Sequence, residues 1–233
     1  LSPLAAGREK EAITCAVPVN TPGISLWSRK SMEFTAESVF DNPLSSRFDE
    51  SDVMLFCDNV RVPWNRVFTI GNVPLSRAIY VDTAGHCFGN HQSNVRFWAK
   101  LQFIVGLANK ITLSGGVRGI AVVQDTLGRL AAQEASIAAM INGQLHSHEQ
   151  IGDGYVMPNR RAMYATLNWC QENYSSICTT VRELMGGSVF QMPANVSLTR
   201  NPELNQIFAD FWSTKDESAL DRMKLYKLAW EIG

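Results

Sequence analysis

Two hydrophobic periods divide the chain near residue 75. Before it, apolar residues come in short, β-branched runs; after it they recur at spacings of three and four. In the first part, "EAITCAVPVN" (11–20) is a β-branched run closed by the turn signal "NTPG". "GISLWSR" follows, with Ile24, Leu26 and Ser28 alternating against Ser25, Trp27 and Arg29. Two further extended segments are predicted at "VMLFCD" and "VRVP", the second stopped by Pro63, which has no N–H to give to a ladder. Between the two pairs of extended segments, "AESVFDNPLSSRFDESD" carries turn chemistry.

From Pro74 onward the period is helical. "HQSNVRFWAKLQFIVGLANKITL" predicts a mostly apolar helix through Val95, Trp98, Leu101, Phe103, Val105, Leu107 and Ile111, broken by "SGG" at 114–116. "IAVVQDTLGRLAAQEASIAAMINGQLHSHEQ" predicts a second, with Ile120, Val123, Leu127, Leu130, Ile137 and Ile141 in register. After the loop "DGYVMPN", Asn159 caps a third long helix that ends at Gly186 and Gly187. "NPELNQIFADFW", capped by Asn201 with Pro202 at its opening position, and "ALDRMKLYKLAWEI" supply two shorter helices. The expected organisation is α+β: a β unit over 1–75 and a helical bundle over 76–233, with the boundary inside 68–77.

Composition narrows the function classes. The 233 residues are 45% hydrophobic and 18% charged, enough for a sizeable core. A net charge of −1 with no long basic run argues against nucleic acid or an anionic membrane as main partner. Five scattered cysteines (Cys15, Cys57, Cys87, Cys170, Cys178) without motif spacing suggest reduced thiols in a cytoplasmic protein more than disulfides or zinc. There is no long apolar run and no leader-like segment. The chain opens at Leu1 and closes while an amphipathic pattern is still running, which suggests a piece of a longer protein.

Nucleotide fingerprints and metal-ligand spacings are absent, so no metal is expected. "GHCFGNHQSNVRF" concentrates His86, Asn90, His91, Gln92, Asn94 and Arg96 before the apolar helix. Histidine exchanges protons near neutral pH, which suits acid–base work on a phenol or flavin; the same residues also read as a capping and loop-anchoring cluster. "VRGIAVVQD" puts Arg118 at a helix start, where the dipole disfavours it, with Gln124 about two turns on. A bound anion would remove that conflict, and a solvated surface arginine is the plainer reading. "MGGSVFQMP" gathers Gly186, Gly187, Ser188 and Gln191, with backbone amides, a hydroxyl and a carboxamide able to hold a phosphate or a polar ring edge. A glycine after a helix is an ordinary C-cap, but a simple cap does not require the second.

In combination, "AVPVNTPG", "RFDESDVMLFCDNVRVPWNRVF" and "RELMGGSVFQMPA…NPEL…FW" resemble the 4-hydroxyphenylacetate 3-hydroxylase family over nearly the entire chain. These are the oxygenase components of two-component, reduced-flavin-dependent phenol and chlorophenol monooxygenases. The resemblance implies an acyl-CoA-dehydrogenase-like fold. Here it would comprise the later part of a β-barrel-like middle domain and most of a C-terminal bundle that builds a homotetramer, without the N-terminal helical domain. It implies reduced FAD delivered by an NAD(P)H:flavin reductase, reaction with O2 to a flavin hydroperoxide, and hydroxylation of a phenol. Carried over residue by residue, it places Gly186, Gly187, Ser188 and Gln191 against the flavin nucleotide. Arg118 and Gln124 then face the FAD of an adjacent subunit, and His86, or failing it His91, handles the phenol proton. Two alternatives stand beside it: an FAD and iron–sulfur hydroxyacyl-CoA dehydratase of the same fold, and a truncated, non-catalytic helical assembly module.

Overall fold

The computed structural model describes residues 4–232. Its first part holds β1 (Ile13–Cys15), β2 (Ile24–Ser28), the one-turn α1 (Ser45–Phe48), β3 (Val53–Cys57) and β4 (Val67–Ile70). These strands form two separate antiparallel ladders. β1 pairs with β4, Ile13 opposite Ile70, with a register shift before Cys15; β2 pairs with β3, Ile24 opposite Cys57. Among the described residues the ladders do not close into a barrel. Both faces of the β2–β3 pair stand open, with Trp27 at 66% exposure on one and Leu55 at 50% on the other. Such a pair takes little from a core and depends on cross-strand contacts such as Trp27 against Phe56, ring centroids 4.8 Å apart.

The expected strand "VRVP" is not one. Residues 60–63 run between elements, Pro63 opens a short 3-10 turn at Trp64–Arg66, and the pairing strand is Val67–Ile70. The missing N–H of Pro63 and the φ its ring fixes favour such a turn over a ladder.

The helical part opens with α2 (Val73–Val81), where the Asn72 side chain accepts from the Leu75 N–H and Pro74 sits in the first turn. α3 (Gly85–Ser114), α4 (Ala121–His146) and α5 (Arg160–Met185) run up, down and up, and α8 (Ala219–Trp230) runs down beside α3 and α5. Between α5 and α8 lie α6 (Ser188–Gln191) and α7 (Pro202–Trp212). The apolar spacing converges on one core: Leu101, Ile104 and Ile111 from α3, Ile137 from α4, Ile177 and Val181 from α5, Tyr226 from α8. Each such side chain contributes on the order of 1.5–3 kcal/mol relative to exposure, so these helices pack as one body.

Three local expectations are corrected. The "GHCFGN" stretch, expected ahead of the apolar helix, forms the first turns of α3. α4 stops at His146, and the residues beyond form a hairpin, β5 (Glu149–Ile151) with β6 (Tyr155–Met157). Gly152 and Gly154 both take positive φ in its turn, a conformation that ends a helix and reverses a chain. Arg118 does not open α4: it lies in the turn after α3, Ile120 is the N-cap, and Gln124 falls in the first turn.

Candidate functional site

The polar residues singled out above lie at two ends of the bundle. At one end, the start of α3, the start of α5 and the β5–β6 hairpin surround a cavity of about 450 Å³ lined by Asp82, Thr83, His86, Gln150, Arg160 and Tyr164, among others. His86 is half-buried there and fully engaged. The Asn90 amide nitrogen lies 3.0 Å from both the His86 carbonyl and His86 Nε2. The carbonyl can only accept, so that Asn90 atom is the NH2 group, and Nε2 accepts as well. The proton of the neutral ring is then on Nδ1, which donates to Tyr164 Oη at 2.9 Å. The hydroxyl hydrogen of Tyr164 is left to point elsewhere, and Tyr164 lines the cavity. Tyr80 meets the His86 ring edge-on, centroids 4.8 Å apart. Nearby, the Arg160 backbone N–H and guanidinium hold the Glu149 carboxylate below its ordinary range.

His91 does a different job. Its Nδ1 lies 2.7 Å from Gln144 Oε1; Gln144 Nε2 donates to Thr166 Oγ1 at 2.7 Å, and Thr166 gives its own proton to the Ala162 carbonyl at 2.8 Å. Because that hydroxyl is already donating, the direction of every bond follows, and His91 carries its proton on Nδ1. Gln144 and Thr166 are fully buried, so this relay pins α3, α4 and α5 in register. Cys87, next to His86, donates to the Pro158 carbonyl at 3.2 Å, and burial pushes its thiol up, with Glu149 adding to the effect. Among the described residues no group of three His, Cys, Asp or Glu side chains gathers as a metal would require.

The other end carries the glycines. Gly186 ends α5 at φ 57°, ψ −143°, a conformation essentially confined to glycine. Gly187 has φ −76°, ψ −5°, open to any residue, and a Cβ there would meet only Gln191 Nε2, at 3.8 Å. The first glycine is therefore set by the backbone, and the second is required by neither the backbone nor the packing of this chain. Ser188 is half-buried at the start of α6, and Gln191 and Phe190 are exposed. Arg118 and Gln124 are exposed at this same end, and the Arg118 guanidinium makes no ion pair or hydrogen bond among the described residues.

The structure thus groups Gly186, Gly187, Ser188, Gln191, Arg118 and Gln124 at one end, and His86 and His91 at the other. Tyr164 and Gly186 are separated by about 33 Å along α5, at 1.5 Å per residue.

The family model described as 4-hydroxyphenylacetate 3-hydroxylase C terminal matches residues 76–233, and that described as 4-hydroxyphenylacetate 3-hydroxylase N terminal matches 1–69. The chain belongs to the 4-hydroxyphenylacetate 3-hydroxylase family. It is 28% identical to the 4-hydroxyphenylacetate 3-monooxygenase oxygenase component of Thermus thermophilus, over 98% of this chain and 47% of that one. It is 29% identical to the 4-nitrophenol 2-monooxygenase oxygenase component of a Rhodococcus species, over 96% and 44%. The crystal structure of a 4-hydroxyphenylacetate 3-monooxygenase oxygenase component complexed with FAD and 4-hydroxyphenylacetate matches with TM-score 0.90 at 27% identity, covering 99% of this chain and 48% of that one. An archaeal 4-hydroxybutyryl-CoA dehydratase from N. maritimus, at 18% identity and TM-score 0.83 over 98% of this chain and 45% of that one, shares the fold. The chain spans less than half the length of these family members. No described helix is long and apolar enough to cross a membrane.

Of the side chains around His86, Asn90 stands in the polar cluster visible in the sequence, and its contact follows from the four-residue spacing once the segment is helical. Tyr164, 78 residues away, carries no local signal. The same holds for Gln144 and Thr166 behind His91.

Proposed function

We propose that this chain forms the later part of the middle β domain and the helical bundle of an oxygenase component that hydroxylates a phenolic ring, of the 4-hydroxyphenylacetate, phenol or chlorophenol type, with reduced FAD and O2. The membership in the family, matched across both segments, is the observation that carries this reading. The first matched segment ends at 69 and the second begins at 76, which supports a division into a β domain over 1–75 and a bundle over 76–233. The two open ladders fit a barrel-like domain completed by chain of the kind its relatives possess in addition.

The residues present suit FAD at the glycine end. Gly187 leaves its backbone open to close approach, Ser188 and Gln191 add a hydroxyl and a carboxamide, and Arg118 offers a cation, unpaired among the described residues, for a phosphate. When bound, reduced FAD supplies the electrons that activate O2 for transfer of one oxygen atom to the ring. This chain's residues hold the nucleotide, exclude water and move a proton. At the far end, His86 is the proton-handling group; its Nδ1–H is committed to Tyr164, so it acts on the cavity through that hydroxyl. His91, locked by Gln144, is the lesser candidate. Reduced FAD is delivered by a separate NAD(P)H-dependent reductase, the protein is cytoplasmic, and it works as a homotetramer.

The test is a mass-spectrometric screen of the intact protein with a flavin reductase and NADH. The panel contains 4-hydroxyphenylacetate, phenol, 4-nitrophenol and a chlorophenol. The expected result is an O2-dependent gain of one oxygen atom by at least one phenol. Reductase turnover that yields only hydrogen peroxide across the panel would overturn the proposal.

A further inference from the structure

Beyond the glycine turn, the chain is fastened to α8 and to the β unit by a buried ion pair. Lys227, in α8, lies 2.9 Å from Asp41, and the two side chains are 9% and 6% exposed. The pair does not close on itself. Lys227 Nζ also donates to the Ala194 carbonyl at 2.6 Å, and Asp41 Oδ1 accepts from the Val196 N–H at 3.0 Å. The backbone groups on both sides of Asn195 are therefore held by the two members of one ion pair. Asp41 is itself placed by Ser38, whose hydroxyl donates to Oδ2 at 2.7 Å. Just past the end of α8, Glu231 accepts from the Asn42 amide at 3.0 Å and the Leu44 N–H at 2.7 Å, and from the Ser45 hydroxyl. Residues 38–45, residues 194–196 and α8 thus meet at two carboxylates. Val189 in α6 and Met192 just after it pack against the bundle core, so whatever fixes residues 194–196 also fixes the exit from the turn.

We propose that Asp41 and Lys227 are positioning residues for FAD: their ion pair sets the segment 188–196 in the place from which the Gly186–Gly187 turn meets the flavin nucleotide. This rests on the flavin reading of that turn. A buried ion pair is a costly way to hold a loop, because desolvation of both charges offsets much of their attraction. What it adds over an apolar contact is direction. A cation aimed at one carbonyl and a carboxylate aimed at one N–H fix the loop in position and rotation, as a cofactor cradle needs. The carboxylates of Glu37 and Glu231 and the ammonium of Lys227 share a cavity of about 350 Å³ with Asp41, and Arg182 stacks over Trp230 at its rim. Burial alone would raise the Asp41 carboxyl; the hydrogen bonds from Ser38, Lys227 and the Val196 N–H outweigh it and hold the group below its ordinary range. A depressed carboxylate keeps its partner through neutral pH and loses it only as pH falls through that lowered value. The latch is therefore closed at neutral pH and opens on the acid side.

The test titrates the intact protein with FAD, at a temperature well below unfolding, and compares Lys227→Met, Lys227→Arg and Gly187→Val with the parent. Lys227→Met is expected to weaken FAD binding roughly tenfold, within the usual range of indirect coupling, and Lys227→Arg to recover most of it. Should Lys227→Met fail to fold, the double variant Asp41→Asn/Lys227→Met removes both charges together and leaves neither buried alone. Weaker FAD binding in Gly187→Val with parental affinity in the Lys227 variants would overturn the positioning role and leave the flavin reading standing. Parental affinity in Gly187→Val would remove the flavin reading of the turn, and the latch with it.

Discussion

The two glycines invite a paired substitution, because the structure gives them opposite reasons to exist. At Gly186, φ 57° with ψ −143° belongs to a region that side chains with a Cβ hardly populate, although no atom lies within 4 Å of an added Cβ. The cost of Gly186→Ala is therefore conformational rather than steric, about 1–3 kcal/mol. Gly187 sits at φ −76°, ψ −5°, and the nearest atom to an added Cβ is Gln191 Nε2 at 3.8 Å, an ordinary van der Waals distance. There alanine removes freedom from the unfolded chain without straining the folded one. Gly187→Ala should stabilise by about 0.4–1 kcal/mol. For a protein of this size each kcal/mol moves the melting temperature by about 2–4 °C. Thermal unfolding of the two variants should thus bracket the parent, with Gly186→Ala below it by about 2–12 °C and Gly187→Ala at or slightly above it. Equal destabilisation of both would refute the reasoning, since it would show Gly187 to be constrained by its own chain. If the bracket holds, the glycine at 187 owes its place to something outside this fold, as a cofactor contact requires.

Two more outcomes follow from buried groups. Burial pushes the Cys170 thiol up to about 11, while Cys57 is exposed, so iodoacetamide should label Cys57 far ahead of Cys170 in peptide mass maps of the native protein; comparable rates would show Cys170 to be open to solvent. Gln144→Leu leaves His91 without its acceptor and Thr166 without its donor, and should cost about 1–3 kcal/mol in urea unfolding; an unchanged midpoint would mean that the relay contributes nothing to the bundle.

The helices were legible because each carries its own evidence: an apolar stripe at spacings of three and four, with Asn159 and Asn201 as caps whose side chains do accept the expected N–H groups. The strands were legible only in part. Val67–Ile70 is held by pairing with Ile13–Cys15, some fifty residues back, and no local pattern states that partnership. The hairpin after α4 was missed for a related reason: "HSHEQ" continues the polar face of a helix, and the positive φ of Gly152 and Gly154 decides otherwise.

The site residues divide by the same logic. Gly186, Gly187 and Arg118 stand out in the sequence because a glycine pair and a misplaced charge are local anomalies. Tyr164, Gln144, Asp41 and Lys227 do not, because each acts through a partner far away in the chain: Asp41 and Lys227 are an unremarkable turn residue and helix residue until the fold puts them 2.9 Å apart. The fold also corrects how the candidates fit together. Tyr164, the hydrogen-bond partner of the histidine proposed to handle the proton, and the glycine turn are about 33 Å apart along α5, more than a side-chain adjustment can close. Within a single copy they serve different places. One flavin can touch both kinds of residue only if a second copy of the chain brings its glycine end to the first copy's histidine end. The homotetramer proposed for this protein is thereby tied to its chemistry. A variant held as a monomer should keep the His86–Tyr164 geometry and the Asp41–Lys227 latch and still lose FAD-dependent hydroxylation, and a fully active monomer would contradict the two-ended site.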